Sequence, residues 1–261
     1  MTTNASPFDP SPGDVLDGRY LLRELIGEGG TAKVFRAHDL RLERAVAVKA
    51  LRRASGDAEA VRRARAETRL LASLHHPALV TLFDARIDDD AGGYLVIEYI
   101  DGMSLRDLSA IGPVDPGELA EITADIAGAL DYVHRAGIVH RAITPGRILL
   151  APAAQRGRVW HAKLFDFGVS HLREAASDDA PEVDARTLAY RAPEAAAGAP
   201  ATPAADIYSL GLSLEDAAPK TLPDEGRMLL QRMTDIDPER RPSALEILEI
   251  ASRLAALAPP R

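Results

Sequence analysis

The chain has 261 residues, of which 46% are hydrophobic and 27% charged, with a net charge of −8 and no cysteine. This composition supplies a folded core, excludes disulfide staples and thiolate metal sites, and argues against a nucleic-acid partner. No apolar run approaches the about 20 residues that cross a bilayer, and no basic start leads into a signal-like apolar stretch, so a cytoplasmic protein without a membrane segment in this chain is expected.

In chain order, residues 1–14 are rich in Ser, Thr, Pro and Asn and read as a flexible N-terminal tail. Strand patterns follow at Tyr20–Leu22, Lys33–Arg36 and Ala45–Lys49. Residues 57–74 are predicted to be helical, with Val61, Leu70, Leu71 and Leu74 marking the apolar side. Two more strands are predicted at Leu79–Phe83 and Tyr94–Tyr99, with Gly92-Gly93 turning between them. Helix patterns dominate beyond Asp101-Gly102. Leu119, Ile122, Ile126, Leu130 and Val133 recur at helical spacing, and Gly137 supplies the stop. Ile148–Leu150 and Val159–Phe165 read as a hairpin, residues 175–205 as a long loop, and Ser243 with Glu246 as the capping box of the last helix. The expected class is α+β, with a small five-stranded antiparallel sheet and one helix over residues 15–100 and a mainly helical part over 101–257.

Several short motifs carry chemistry. Gly27-Glu28-Gly29-Gly30-Thr31-Ala32-Lys33-Val34 lies between two predicted strands, where glycines let backbone N–H groups approach a phosphate; a tight structural turn explains it equally well. Lys49 ends the third strand, where most lysines are simply solvated, and Glu67 follows on the predicted helix. Further on come Ile138-Val139-His140-Arg141, Asp166-Phe167-Gly168, Ala192-Pro193-Glu194, Asp206-Ile207-Tyr208-Ser209-Leu210-Gly211 and Arg241-Pro242. In this order and at these separations, over Gly27–Pro242, the set resembles the Hanks-type serine/threonine protein kinases, in their bacterial style.

The resemblance implies a two-lobed kinase fold and a site for ATP or ADP. Gly27, Gly29 and Gly30 would cover the phosphates, and Lys49, paired with Glu67, would contact the α- and β-phosphates. Val34, Ala47 and Leu149 would sandwich the adenine, and Glu98 to Ile100 would form the hinge strand at its edge. Asp166 would hold Mg²⁺, with at most one ion expected. Glu194 would pair with Arg241, and Asp206 would brace the catalytic loop.

The pattern fails in that loop. The family has Asp, Lys and Asn where this chain has Ala142, Thr144 and Arg147, so the proton-accepting base, the γ-phosphate cation and the ligand of the second metal are missing together. A general base alone contributes about 10²–10⁴ in rate. The stretch after Gly211 is also short, with Leu212–Pro223 leading almost directly to Met228–Met233, so the helix that usually seats a peptide is expected to be missing. Arg147 has two readings: a fixed cation where the second metal would sit, or a solvated side chain. Arg62, Arg65 and Arg69 fall on one helix face, and Asp178, Asp179, Glu182 and Asp184 crowd the loop before Thr187; these are either solvated charges or a built-in substitute for loop phosphorylation.

Three readings stay open on sequence alone. The leading one is a pseudokinase that binds nucleotide and acts as a regulatory or scaffolding module for a protein partner in a phosphorylation pathway. The second is a serine/threonine kinase with residual or unconventional ATP-dependent transfer, and the third is a structural relic without nucleotide.

Overall fold

The computed structural model describes residues 8–29, 32–51, 65, 68, 69, 71–88, 92–154, 157–166 and 185–258. Gly30, Glu67, Arg62, Val61, Leu70, Phe167, Gly168 and the acids Asp178, Asp179, Glu182 and Asp184 lie outside the described residues. The chain divides into two compact units: among the described residues the first comprises 8–75 and 80–99, and the second 76–79 and 100 onward.

The first unit is built on a six-stranded antiparallel sheet. Its strands are β1 (Val15–Leu16), β2 (Tyr20–Glu28), β3 (Ala32–Asp39), β4 (Arg44–Leu51), β5 (Leu82–Asp88) and β6 (Gly92–Glu98), in the order β1-β2-β3-β4-β6-β5. That is one strand more than predicted, because Val15 and Leu16 pair with Leu21 and Tyr20 at the edge. The predicted strand Leu79–Phe83 starts later, at Leu82; Leu79 belongs to the second unit, where it bridges to Leu164. Gly92 and Gly93, expected in a turn, lie within β6, paired with Asp88 and Ile87; a Cβ at Gly93 would come within 2.4 Å of the Arg86 carbonyl oxygen, so that position takes a glycine.

Alternation along each strand separates the two faces of the sheet. Tyr20, Leu22, Phe35, Ala37, Val46, Val48, Ala50, Tyr94 and Val96 form a buried core on one face, and Phe8 and Leu16 pack against it. Residues 8–14, expected to belong to a loose tail, are therefore held: Phe8 anchors them, Pro10 is buried, and Gly13 and Asp14 exchange backbone hydrogen bonds with Leu22. Polar clasps secure the same region. Arg19 donates a fork of hydrogen bonds to buried Asp39 at 2.9 and 2.8 Å, and this guanidinium holds the Asp39 carboxyl down at about 2 despite burial. Tyr20 donates its hydroxyl to Asp84 at 2.7 Å, while Tyr94 and Arg86 both bond Asp17.

In the second unit, β7 (Met103–Ser104), β8 (Ile148–Pro152) and β9 (Trp160–Leu164) form a small antiparallel sheet; β8 and β9 are the predicted hairpin. Gly102 precedes β7 so closely to β8 that a Cβ would fall 2.0 Å from the Leu150 carbonyl oxygen. Helix α1 (Leu105–Ile111) opens with a reciprocal capping box between Ser104 and Asp107. Helix α2 (Pro116–Arg135) buries Leu119, Ile122, Ile126, Leu130 and Val133, the predicted stripe. It ends as the glycine stop requires, with Gly137 at φ 75° and the Ile138 N–H bonded to the Val133 carbonyl.

The predicted loop over 175–205 is interrupted by helices. Its described part contains α3 (Ala185–Leu188), α4 (Pro193–Ala196) and the start of α5 (Pro203–Glu215), which Thr202 caps and Pro203 initiates. Proline at the first helical position is compatible with a helix start, so a composition rich in Ala and Pro concealed these elements. Residues 216–223 then lead to α6 (Asp224–Met233) without an intervening helix. Helix α7 (Ala244–Leu257), capped by Ser243, packs against α2.

Candidate functional site

Predicted site residues fall in both units. In the first unit, β-pairing sets Gly27 opposite Val34, Val34 opposite Lys49, and Lys49 opposite Leu95, in one row across β2, β3, β4 and β6. Ala47 lies two residues from Lys49 and so shares its face, opposite Ile97. This is the face turned away from the core that holds Val46, Val48 and Ala50. The Gly29 N–H donates to the Ala32 carbonyl at 3.0 Å and narrows the hairpin neck. An added Cβ would meet only ordinary contact at Gly27 and nothing at Gly29, so local packing demands neither glycine. Lys33 reaches Asp9 at 2.7 Å, tying the hairpin to the N-terminal segment. Glu98, the first predicted hinge residue, ends β6 opposite Val46, and its backbone N–H donates to Thr81 while its carboxylate accepts from the Thr81 N–H.

In the second unit the catalytic loop is braced by one buried carboxylate. Asp206 of α5 accepts the backbone N–H groups of His140 and Arg141, each at 2.7 Å, and lies 2.9 Å from His134 Nε2. The sequence pointed to Asp206 as a brace; His134 was missed, because nothing in the spacing of α2 marks its last turn as facing α5. His140 is fully buried, and burial lowers its pKa. Its Nδ1 accepts from the Ala142 N–H at 3.3 Å, so the ring proton sits on Nε2, which donates to the Phe165 carbonyl at 3.1 Å. Arg141 and Asp166 take φ values of 67° and 70°, a left-handed conformation that costs a non-glycine residue about 1–3 kcal/mol and concentrates at functional sites.

The altered positions sit within this frame. Ala142 and Thr144 are buried, and a 3₁₀ turn, Pro145–Arg147, leads into β8. Arg147 is turned inward rather than to solvent. Its Nη1 donates to the Ala142 carbonyl, and its Nε lies 3.2 Å from Asp166 Oδ2, with side chains only 21% and 15% exposed. The backbone reinforces this, since the Phe165 N–H donates to the Arg147 carbonyl at 3.2 Å. Leu149 is half-buried on β8, between fully buried Ile148 and Leu150, and Ile100 is half-buried at the start of the unit.

Farther along, Arg241 is completely buried and grips Glu194 through both terminal nitrogens at 2.6 and 2.9 Å. It also donates to the carbonyls of Ala204, Asp235 and Ile236. The pairing holds the Glu194 carboxyl below its ordinary range against the opposing effect of burial. Tyr190 donates to Asp216, and burial, helped by that bond, pushes its phenol up to about 12.

Comparison with known proteins agrees with this arrangement. The protein-family model for the protein kinase domain matches residues 20–217. The serine/threonine-protein kinase PrkC of Bacillus subtilis is 35% identical over 216 residues, which cover 82% of this chain and 32% of PrkC. PknL of Mycobacterium tuberculosis is 37% identical over 210 residues, 80% of this chain and 51% of PknL. The chain thus spans between a third and a half of the length of these relatives. Among solved structures, the kinase domain of M. tuberculosis PknI superposes with a TM-score of 0.69 at 24% identity, covering 96% of this chain and all of that domain, a likeness of fold. No helix among the described residues is long and apolar enough to cross a membrane. The chain belongs to the protein kinase domain family, with bacterial serine/threonine kinases among its relatives.

Proposed function

We propose that this chain is a pseudokinase that binds ATP or ADP with little need for Mg²⁺, transfers no phosphate, and serves as a regulatory or scaffolding module for a protein partner in a phosphorylation pathway. The observation that carries this reading is the Arg147 guanidinium, fastened between the Ala142 carbonyl and the Asp166 carboxylate. In an active kinase those positions supply the base and the metal ligands. Here a fixed cation neutralises the one carboxylate that would hold Mg²⁺, and position 142 has no side-chain base.

The residues fit a nucleotide better than they fit metal ions. Lys49, Val34 and Ala47 share one sheet face, with the hairpin glycines Gly27 and Gly29 beside them, and they offer a cation and apolar walls. Leu149, Ile100 and Glu98 supply the other family positions for the base, with Glu67 expected as the partner of Lys49 and Gly30 as the third loop glycine. For metal, Asp166 faces a guanidinium instead of a second oxygen ligand, a donor set that does not fit two ions. A guanidinium at Arg147 suits phosphate oxygens better than it suits a metal ion.

A second reading, residual phosphotransfer, draws on Asp206, which holds the loop as an active enzyme would need, and on the survival of Lys49 and Asp166. Calorimetric titration with ATP, with and without Mg²⁺, separates the readings. Binding weaker than about 10 µM, within the range of enzyme substrates, little changed by Mg²⁺ and lost in Lys49→Met, is expected. No heat from any nucleotide would leave the structural relic. Transfer of labelled γ-phosphate that disappears in Asp166→Ala would establish an enzyme instead.

A further inference from the structure

A groove of about 430 Å³ lies wholly within the first unit, between the helical residues near Arg65–Ala72 and the edge strand β5. We infer that it is a docking site for an extended acidic peptide of a partner protein, which would add to the β5 edge and place its carboxylates against Arg65 and Arg69. The surface does not depend on the nucleotide reading, and its test uses no nucleotide.

Three features on this surface converge. First, β5 is the last strand in the sheet order, and among the described residues no strand pairs with its outer edge. Such an edge is a template for another chain, and an extended peptide added there gains main-chain hydrogen bonds. Secondly, the walls differ in character. Asp84 and Arg86 point toward Tyr20 and Asp17, so by alternation Ala85 and Ile87 face the opposite way, toward the helix. The helix wall carries Arg65 and Arg69, one turn apart, and both are exposed. Thirdly, Arg65 already reaches across: its Nη2 donates to the Ile87 carbonyl at 3.0 Å. The guanidinium therefore lies beside the strand edge that an incoming backbone would use.

Charge selects the partner. The chain as a whole carries −8 and repels acidic segments, whereas the helix wall of the groove presents two arginines, Arg65 and Arg69. Asp84 is itself engaged by Tyr20 and Arg19, and Arg86 by Asp17. An acidic peptide is thus favoured on this surface over a basic one. β5 runs for 7 residues, which at about 3.3 Å per residue is about 23 Å, enough to pair with a peptide of similar length.

The probe is a fluorescein-labelled ten-residue peptide of alternating glutamate and valine, titrated with the intact chain by fluorescence anisotropy at low salt. Saturable binding is expected, weakened at least tenfold by Arg65→Glu with Arg69→Glu and absent for the lysine–valine counterpart. A version N-methylated along one edge should also lose binding at least tenfold, which a purely electrostatic contact would not show. Both arginines are exposed, and circular dichroism verifies that the variants fold. Equal binding to the double variant, or no binding by the parent chain, would overturn the inference. So would sedimentation showing that the chain covers this edge with a second copy of itself, or tenfold tighter peptide binding when Asp178, Asp179, Glu182 and Asp184 become asparagine or glutamine, which would assign the groove to the chain's own acidic segment.

Discussion

On the proposed nucleotide reading, replacing Arg147 with asparagine should make nucleotide binding respond to Mg²⁺ at a much lower concentration. The Arg147–Asp166 contact is 3.2 Å long and mostly shielded from water. At that distance and an effective dielectric of about 20, the bare attraction is about 5 kcal/mol. The cost of removing both groups from water and their residual exposure lower the net contribution to about 1–3 kcal/mol. A metal ion competing for Asp166 must displace that partner while also being repelled by it. Displacing about 2 kcal/mol corresponds to about 30-fold in the ion's dissociation constant. In Arg147→Asn the Mg²⁺ concentration giving half-maximal enhancement of binding by a fluorescent ATP analogue should therefore fall at least tenfold. Arg147→Lys, which keeps the charge but loses the fork, should gain much less. A midpoint for Arg147→Asn within twofold of the parent chain, with nucleotide still bound, would refute the idea that the guanidinium stands in for metal.

Stability should decline as the solution is acidified below neutrality. His140 has a lowered pKa in the folded state because it is buried, whereas an unfolded histidine protonates near 6.5, so below about pH 6.5 the unfolded chain binds more protons. His76 is shifted in the same direction by burial and adds to the effect. Urea midpoints should hold level above about pH 7 and fall toward pH 5; a rise over that interval would contradict the neutral buried ring. Arg241→Ala should cost about 3–5 kcal/mol, since it strands Glu194 and several carbonyls, and the single tryptophan, Trp160, reports the unfolding. A loss below about 1 kcal/mol would mean the site relaxes or hydrates freely. The triple change Ala142→Asp, Thr144→Lys and Arg147→Asn should permit slow ATP hydrolysis at most and leave generic serine/threonine peptides unmodified, because residues 216–223 supply no helix to seat them and misplacement by about 1 Å costs about 10²-fold. Efficient peptide phosphorylation by this variant would show that a docking surface survives elsewhere.

The strands and the long helix were readable because their signals are local. The stripe of α2 is buried as its period required, and the β8–β9 hairpin pairs as drawn. Elements with weak local signals were missed. Val15–Leu16 is a strand only because β2 lies beside it, and α3, α4 and the start of α5 are hidden in an Ala- and Pro-rich stretch whose helical character depends on caps such as Thr202. Phe8 illustrates the same limit, since a lone aromatic in a polar segment gives no sign of the core it packs against. At the candidate site the sequence left Arg147 ambiguous between solvent and the place of a second metal. Its orientation is fixed by contacts with Ala142 and Asp166, one 5 residues away and the other on the far side of the β8–β9 hairpin.

Asp206 carries an implication for how much change the loop it braces can tolerate. Among the described residues it bonds the His134 ring and the backbone N–H groups of His140 and Arg141, none of them a side chain at an altered position of the loop. His140 adds a second rivet through Phe165, again to backbone. The path of the loop is thus written in residues that stay put when its reactive side chains are exchanged. Such a loop behaves as a cassette: its contents can be swapped while its mounting persists. Exchanging the side chains of the loop in this way leaves its backbone path in place, since the bonds that hold that path do not run through them.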